Sequence, residues 1–282
     1  MDTPRSVWLI ANSASGSNSE EAHAALEQAL TNAGLRIAQR TFFPDDDLPV
    51  PAALDAAGVD TLVIFAGDGT INAGIENVTG WGGMILVLEG GTKNLLFHRL
   101  HGDATTELVV QRVASGNARR VRPGIIRCAA GAAYAGLMAG PGTSWNPVRE
   151  ALRDRDIVRL AEGAVNAVTE TLEGPPIVCV EPRLGRAEGY PLLLCTPHDD
   201  AIELVAFHSD TAGEMLGQTV ALAQMNFRDG PHDDLGRATR LRFESADGSP
   251  YGLLIDGEPA EADGSDEFIL AQAQVDLLAT VG

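Results

Sequence analysis

Two short apolar runs in the first third of the chain each end in a turn rich in glycine, and this arrangement restricts the fold more than any other feature of the sequence. Residues 61–66 (Thr-Leu-Val-Ile-Phe-Ala) run directly into Gly-Asp-Gly-Thr at 67–70, and residues 84–88 run into Glu-Gly-Gly-Thr-Lys-Asn at 89–94. Both runs are apolar without alternation, which is typical of strands buried on both faces of a parallel sheet. Because a helical pattern follows each turn, the two segments predict consecutive strand–helix units of an open parallel sheet.

The residues before these turns follow the same order. Residues 7–11 predict a short strand, the polar segment 12–16 (Asn-Ser-Ala-Ser-Gly) follows it, and a helix then extends to Gly34. Glycine ends a helix well because it adopts the left-handed conformation without strain. The other elements predicted in this part are a strand at 36–43 and helices at 51–57 and about 104–114. We therefore expect an α/β domain over residues 1–124, and the C-terminal segment 266–282 is a candidate to complete it.

The pattern changes after about residue 122, where strand-like runs predominate. These runs are found at 119–127, 177–180, 191–195, 202–207, 239–243, 251–255 and 268–271. Asp-Gly dipeptides, a common signal of hairpin turns, begin at Asp229, Asp247, Asp256 and Asp263. One helical segment, at 147–172, interrupts the strands. We expect residues 125–265 to form an antiparallel β-sandwich with inserted helices, so that the fold class is α/β plus all-β.

Composition narrows the classes of partner. Lysine and arginine number 20 and aspartate and glutamate 39, so the formal net charge is −19 at pH 7. A protein this acidic repels phosphate backbones, so we expect no nucleic-acid partner. The cysteines Cys128, Cys179 and Cys195 form no C-x-x-C motif, which is typical of a reducing cytoplasm. We expect neither a signal peptide at 7–11, where the apolar run is too short, nor a membrane helix in the uncharged stretch 128–148, which is interrupted by glycine and proline.

The three strand-to-helix turns predict a shared binding edge. The carboxyl ends of parallel strands meet at one edge of a sheet, and ligands bind beyond that edge. Glycines in the turns let a ligand approach the backbone, and the N-terminus of the next helix attracts phosphate. Asp68, one residue past its strand, is suited to holding Mg²⁺ bound to such a phosphate. An ordinary turn in which Asp68 caps the helix explains this one segment equally well, but three such turns together favour a nucleotide site. No Walker G-x-x-x-x-G-K-[ST] motif is present.

These turns and two later segments carry recognisable motifs. They read Asn-Ser-Ala-Ser-Gly at 12–16, Ala-Gly-Asp-Gly-Thr-Ile-Asn-Ala at 66–73, Glu-Gly-Gly-Thr-Lys-Asn at 89–94, His-Asp-Asp-Ala at 198–201 and Asp-Gly-Glu-Pro at 256–259. In order and approximate spacing they resemble the diacylglycerol kinase catalytic-domain superfamily, which includes bacterial lipid kinases and sphingosine kinases and is distantly related to NAD kinases. This sequence departs from the family pattern at Ala66, Ala73, Glu89, Leu95 and Ala201.

The resemblance implies a phosphotransferase with an alcohol acceptor, which uses ATP and Mg²⁺ to phosphorylate a lipid hydroxyl. It implies that Asp68 acts on the Mg²⁺-bound phosphates, and that Glu258, with Asp256 beside it, takes the proton from the acceptor hydroxyl. The residues implied to line the nucleotide pocket are Asn12, Ser13, Ser15, Gly16, Gly67, Gly69, Thr70, Asn72, Gly91, Thr92 and Asn94. The implied metal ligands are Asp68, Asp199 and Asp200. Without the resemblance, a plain hairpin turn is the better interpretation of residues 256–258.

The implied acceptor is diacylglycerol-, ceramide- or sphingoid-like, reached by transient contact of a cytoplasmic protein with the inner face of the membrane. At a net charge of −19, such contact requires a local basic or apolar face. A homodimer is compatible with the sequence. Two alternatives stay open: a kinase of a soluble acceptor such as NAD, and a nucleotide-binding regulator that has lost catalysis. Ala73, Glu89 and Leu95 motivate the second alternative, whereas Asp-Gly-Glu at 256–258 favours the lipid branch.

Overall fold

The computed structural model describes residues 6–12, 20–91, 94–141, 143, 174–207 and 232–281. The chain divides into two compact units. The first contains Met1–Pro123 and Gln272–Gly282, and the second contains Gly124–Ala271. Within the described ranges, no helix has the length and apolarity needed to cross a membrane.

The first unit is an α/β structure. Its strands are β1 (Ser6–Asn12), β2 (Arg36–Phe43), β3 (Thr61–Ala66), β4 (Met84–Glu89), β5 (Arg119–Val121) and β18 (Asp276–Ala279). Its helices are α1 (Glu20–Asn32), α2 (Pro51–Ala56), α3 (Asp68–Asn77), α4 (Leu95–His101) and α5 (Thr106–Ala114). In the part of the unit that is described, the sheet order is β2-β1-β3-β4-β18-β5, with β5 alone antiparallel to its neighbour. Every residue of β3 is buried, as its uninterrupted apolar run predicts.

The end of the chain completes this sheet. β18 pairs with β4 in parallel and with β5 in antiparallel orientation, so it lies between two strands that come much earlier in the sequence. The second unit is therefore an insertion between β5 and β18. The predicted strand at 119–127 is in fact two strands, β5 and β6 (Gly124–Cys128), one in each unit. Pro123 separates them because proline has no N–H to donate to a ladder.

The second unit is all-β over its described residues. Its strands are β6, β7 (Gly131–Ala133), β8 (Leu137–Ala139), β9 (Ile177–Glu181), β10 (Arg183–Leu184), β11 (Leu192–Pro197), β12 (Ile202–Phe207), β13 (His232–Ala238), β14 (Arg240–Ser245), β15 (Tyr251–Ile255), β16 (Glu258–Ala262) and β17 (Ser265–Gln272). They form two antiparallel sheets, with the orders β10-β9-β14-β17-β6-β7 and β13-β12-β11-β8-β15-β16 in the described ranges.

One apolar core lies between these two sheets. Phe243 and Phe268 of the first sheet are fully buried, with ring centroids 4.7 Å apart, and they belong to the same cluster as Leu193 and Ile202 of the second. β12 and β14 alternate between buried and more exposed positions, as expected of a sandwich in which one face of each sheet is solvated. The predicted fold class is confirmed: an α/β sheet followed by an antiparallel sandwich. The helix predicted at 147–172 lies outside the described residues.

Candidate active site

The turn between β3 and α3 consists of a single residue. β3 ends at Ala66 and α3 begins at Asp68, so Gly67 alone joins them, in an extended conformation with φ −77° and ψ 166°. Because the capping residue has no side chain, no side-chain oxygen from that position accepts from the first N–H groups of α3. These donors and the positive end of the helix dipole lie at the carboxyl edge of the sheet.

Asp68 lies in the first turn of α3 and is only 7% exposed. Its Oδ1 accepts a long hydrogen bond, 3.4 Å, from the backbone N of Leu96 in the first turn of α4. The carboxylate is therefore held near the N-termini of two helices that follow neighbouring parallel strands. Both helix dipoles stabilise a negative charge at this position.

The turns after β3 and β4 pack directly on each other. A Cβ on Gly91 would lie 2.5 Å from the Cα of Gly67, and a Cβ on Gly90 would lie 2.6 Å from the backbone N of Ala66. Gly90 also donates from its N to the carbonyl oxygen of Ala66, at 3.2 Å. Backbone packing thus requires glycine at 90 and 91. A Cβ on Gly67 would meet no described atom closer than the Gly91 Cα, at 3.7 Å, so close packing does not explain this glycine.

The side chain of Asn94 binds the backbone of Gly91, in the turn that follows β4. It has a left-handed backbone, with φ 51° and ψ 42°, which asparagine tolerates better than most residues. Its Oδ1 accepts from the N of Gly91, and its Nδ2 donates to the carbonyl oxygen of Gly91, both at 2.9 Å. The family resemblance implies that Asn94 lines a nucleotide pocket. In the structure its side-chain amide fixes the position of Gly91 through these two hydrogen bonds.

A side-chain hydrogen bond connects the end of β1 to the start of α3. Nδ2 of Asn12 donates to Oγ1 of Thr70 at 2.8 Å. Predicted residues from three segments therefore lie at one edge of the first unit: Asn12, then Gly67, Asp68, Gly69, Thr70 and Asn72, and finally Gly91 and Asn94. Ser13, Ser15, Gly16 and Thr92 lie outside the described residues.

The two carboxylates predicted at the β15–β16 turn, in the second unit, differ sharply. Glu258 is exposed at the start of β16. Asp256 is 3% exposed, and its carboxylate accepts three backbone hydrogen bonds, from the N of Tyr134 at 2.7 Å, Ala135 at 2.8 Å and Gly136 at 2.9 Å. The sequence does not reveal the part of residues 134–136, because every residue except proline has a backbone N–H and the residue types therefore do not show which of these groups bind Asp256.

The predicted metal ligands Asp199 and Asp200 lie in the turn between β11 and β12 and are exposed. Oδ1 of Asp199 accepts from the N of Gly124 at 3.1 Å, and the neighbouring His198 contacts Glu203 through Nε2 and Oε2 at 3.1 Å. Among the described residues, no three His, Cys, Asp or Glu side chains are grouped as a metal site would require. A metal at Asp199 or Asp200 stays a prediction.

Comparison with known proteins connects the first unit to a family. The profile of the diacylglycerol kinase catalytic domain matches residues 6–126, which include both glycine turns and Asp68. The resemblance to this family, which the sequence motifs imply, is confirmed over residues 6–126. This is a family of lipid kinases, enzymes that transfer phosphoryl groups to alcohols. A comparison with curated proteins found no match.

Solved structures extend the likeness of fold to the whole chain. A diacylglycerol kinase from Bacillus anthracis str. Sterne superposes with a TM-score of 0.60 at 14% identity, covering 99% of this chain and 98% of its own. Two more structures from the same strain also give TM-scores of 0.60. One is 14% identical and covers 99% of this chain and 96% of its own; the other is 12% identical and covers 100% of both. At such identities the likeness concerns the fold alone.

The edge of the first unit fits a Mg²⁺-bound nucleotide phosphate in three respects. The described residues leave room beside the backbone of Gly67, the ten-residue helix α3 begins there, and Asp68 supplies a carboxylate. Carboxylate oxygens are the ligands that Mg²⁺ prefers, together with water and phosphate oxygens.

Proposed function

We propose that this protein is an ATP-dependent lipid kinase, which transfers the γ-phosphoryl group to a hydroxyl of a diacylglycerol-, ceramide- or sphingoid-like lipid. The observation that carries the proposal is the β3–α3 turn. A methyl group added at Gly67 would meet no described atom closer than 3.7 Å, and Asp68 follows this glycine at a helix N-terminus. The turn lies in the region that matches the profile of a lipid kinase family.

The residues of the first unit have separate roles in this proposal. The N–H groups of the first turn of α3 bind phosphate oxygens, and Asp68 holds Mg²⁺, which neutralises phosphate charge during transfer. Because Oγ1 of Thr70 accepts from Asn12, its own proton points elsewhere and is available to a phosphate oxygen. Gly91 and Asn94 act indirectly: Gly91 packs against Gly67, and Asn94 holds Gly91 there through a hydrogen bond.

Glu258 is the proposed base for the acceptor hydroxyl. Its exposure makes the carboxylate accessible to a substrate. Phosphoryl transfer passes through a loose transition state, so the position of this carboxylate matters more than its strength as a base. Asp256 does not share this role, because backbone N–H groups occupy its carboxylate. A lipid acceptor also requires transient contact with a membrane surface, which remains part of the proposal.

The test measures ATP affinity and turnover in Mg²⁺ buffer with mixed micelles of diacylglycerol, ceramide and sphingoid bases. We expect Asp68→Asn, which keeps the shape of the side chain and removes its charge, to lower turnover about 100-fold or more. Gly67→Ala adds one methyl where the described structure has room, so we expect weaker ATP binding with an unchanged melting temperature. Gly82→Ala is the matched control, since it makes the same substitution away from the turn, at a glycine whose added Cβ would meet no described atom within 4 Å.

Each other outcome has a definite meaning. Turnover of NAD in detergent-free buffer, with none on lipids, would identify a soluble-acceptor kinase. Tight ATP binding without turnover, unaffected by Glu258→Ala, would identify a regulator. Full lipid turnover in Asp68→Asn, or no binding of ATP by the wild type, would refute the proposal.

A further inference from the structure

Asp256 has an unusual position for a side chain in a hairpin turn. Its backbone is left-handed, with φ 49°, and its carboxylate is directed into the second unit and away from solvent. The three N–H groups that it accepts from belong to the consecutive residues 134–136, which precede β8. A fourth hydrogen bond runs in the opposite direction, from the N of Asp256 to the carbonyl oxygen of Gly136 at 2.9 Å.

These bonds connect the two chain segments that leave one end of a β-ladder. β8 pairs with β15, with Leu137 opposite Ile255, so that residues 134–136 and Asp256 leave the ladder at the same end. On its other side, β15 pairs with β16, with Ile255 opposite Glu258. The turn that carries Glu258 is therefore fixed to the start of β8 through Asp256. An ionised carboxylate suits this role because it only accepts, and hydrogen bonds to charged groups are the stronger kind.

A second Asp-Gly turn in the same unit, which joins the two sheets and is not a hairpin, behaves differently. Asp247, in the β14–β15 turn, is exposed and accepts at Oδ1 from its own turn: from the N and Oγ of Ser249 at 2.9 and 2.6 Å, and from Oγ of Ser245 at 2.9 Å. The same dipeptide thus makes a local cap at 247 and a long-range clamp at 256. Asp247 is for this reason a matched control.

We infer that Asp256 is a positioning residue, whose carboxylate clamps residues 134–136 to the β15–β16 turn and thereby fixes Glu258. It does not act as a second base. The inference rests on the proposed function, because Glu258 is the base only if the chain is a kinase. It changes the role that the motif implies, since of the two carboxylates only Glu258 is available to a substrate.

A double-mutant cycle tests this inference. We expect Asp256→Asn to lower kcat at least about 10-fold while ATP affinity stays within about 2-fold, since ATP binding is assigned to the first unit. If Asp256 acts only through Glu258, then the double variant Asp256→Asn, Glu258→Gln has the kcat of Glu258→Gln alone, within about 3-fold. Asp247→Asn is expected to keep wild-type kcat. Multiplied effects in the double variant, or an unchanged kcat in Asp256→Asn, overturn the inference.

Amide hydrogen exchange separates this inference from the proposed function. We expect the amides of residues 134–136 to exchange about 100-fold faster in Asp256→Asn than in the wild type, and the amide of Glu258 to change with them. Should the wild type phosphorylate no acceptor, the proposed function fails and this measurement alone decides the clamp: wild-type exchange rates in Asp256→Asn refute it. If Asp256→Asn does not fold, then Asp256→Ser, which keeps a smaller acceptor for the same amides, replaces it in both experiments.

Discussion

The buried imidazole of His101 makes the stability of the first unit depend on pH in a way that can be calculated. His101 ends α4 and is 1% exposed. Its Nε2 lies 3.1 Å from the carbonyl oxygen of Val87 in β4, and its Nδ1 lies 3.0 Å from Oγ1 of Thr280 after β18. Because a carbonyl only accepts, Nε2 carries the proton and Nδ1 accepts from the threonine hydroxyl. Both nitrogens of the neutral ring are therefore hydrogen-bonded. Protonation would turn Nδ1 into a donor, so it could no longer accept from the hydroxyl of Thr280.

Burial is the main reason that the pKa of His101 falls from 6.5 to about 4. The hydrogen bond to Val87 opposes this effect, and Arg112 adds to it. The unfolded chain therefore binds this proton below pH 6.5, whereas the folded chain binds it only below about pH 4. Between these values the unfolded state holds more protons, so the free energy of unfolding decreases as the pH falls. At about 1.4 kcal/mol per pKa unit, the full interval corresponds to about 3 kcal/mol.

Urea denaturation between pH 7 and pH 4 measures this effect. Carboxylates also titrate there, so the quantity of interest is the difference between the wild type and His101→Gln, whose amide retains a donor and an acceptor but does not titrate. We expect the wild type to lose about 2–3 kcal/mol more than His101→Gln over this interval. His98→Gln, an exposed position on the same helix, is expected to follow the wild type. Parallel pH profiles for the wild type and His101→Gln would show that the reasoning is wrong.

Two further predictions concern packing. Gly91→Ala would place a methyl 2.5 Å from the backbone of Gly67, so we expect a loss of about 1–3 kcal/mol in thermal or urea unfolding, against about 0.5 kcal/mol or less for Gly82→Ala; equal losses would contradict the packing argument. The hydroxyl of Tyr251 is buried and has no hydrogen-bond partner among the described residues, and burial raises the pKa of this phenol. We therefore expect Tyr251→Phe to be neutral or stabilising by up to about 1 kcal/mol in urea unfolding, whereas a clear loss of stability would reveal a partner for the hydroxyl.

The apolar runs of the sequence predict strands well where burial is continuous. β3, β12 and β15 have the predicted bounds, because each run fills one buried or half-buried strand between turn residues. Several strands of the same sandwich, among them β8 and β13, could not be found in this way. β13 reads His-Asp-Asp-Leu-Gly-Arg-Ala and lies at a sheet edge, where pairing with β12 satisfies its backbone without an apolar face. β8 has three residues in an alanine- and glycine-rich stretch, yet it lies in the middle of its sheet, between β11 and β15.

The candidate site was predictable to the extent that it depends on local sequence. The turn at 67–70 follows a strand and opens a helix, as predicted, and Asp68 lies at the start of that helix. The reason for the second pair of glycines was not accessible in the same way. Gly90 and Gly91 are required by the backbone of the neighbouring turn, which is adjacent only because β3 and β4 pair in register. A glycine that approaches a ligand and a glycine that approaches another glycine look alike in a sequence.

The same limit applies to carboxylates, and there it changes the chemistry. The family resemblance gives Asp256 and Glu258 a part in the same catalytic step, with Asp256 beside the residue that takes the proton. The fold separates them: β-strand alternation and the left-handed turn direct one carboxylate onto the amides before β8 and leave the other exposed. Because Asp256 is 3% exposed and accepts three N–H groups, its carboxylate could reach a substrate only if these hydrogen bonds opened, which would also release the turn that carries Glu258. A catalytic task for Asp256 would therefore undo the geometry that makes Glu258 useful, and the two residues can serve one reaction only in different roles.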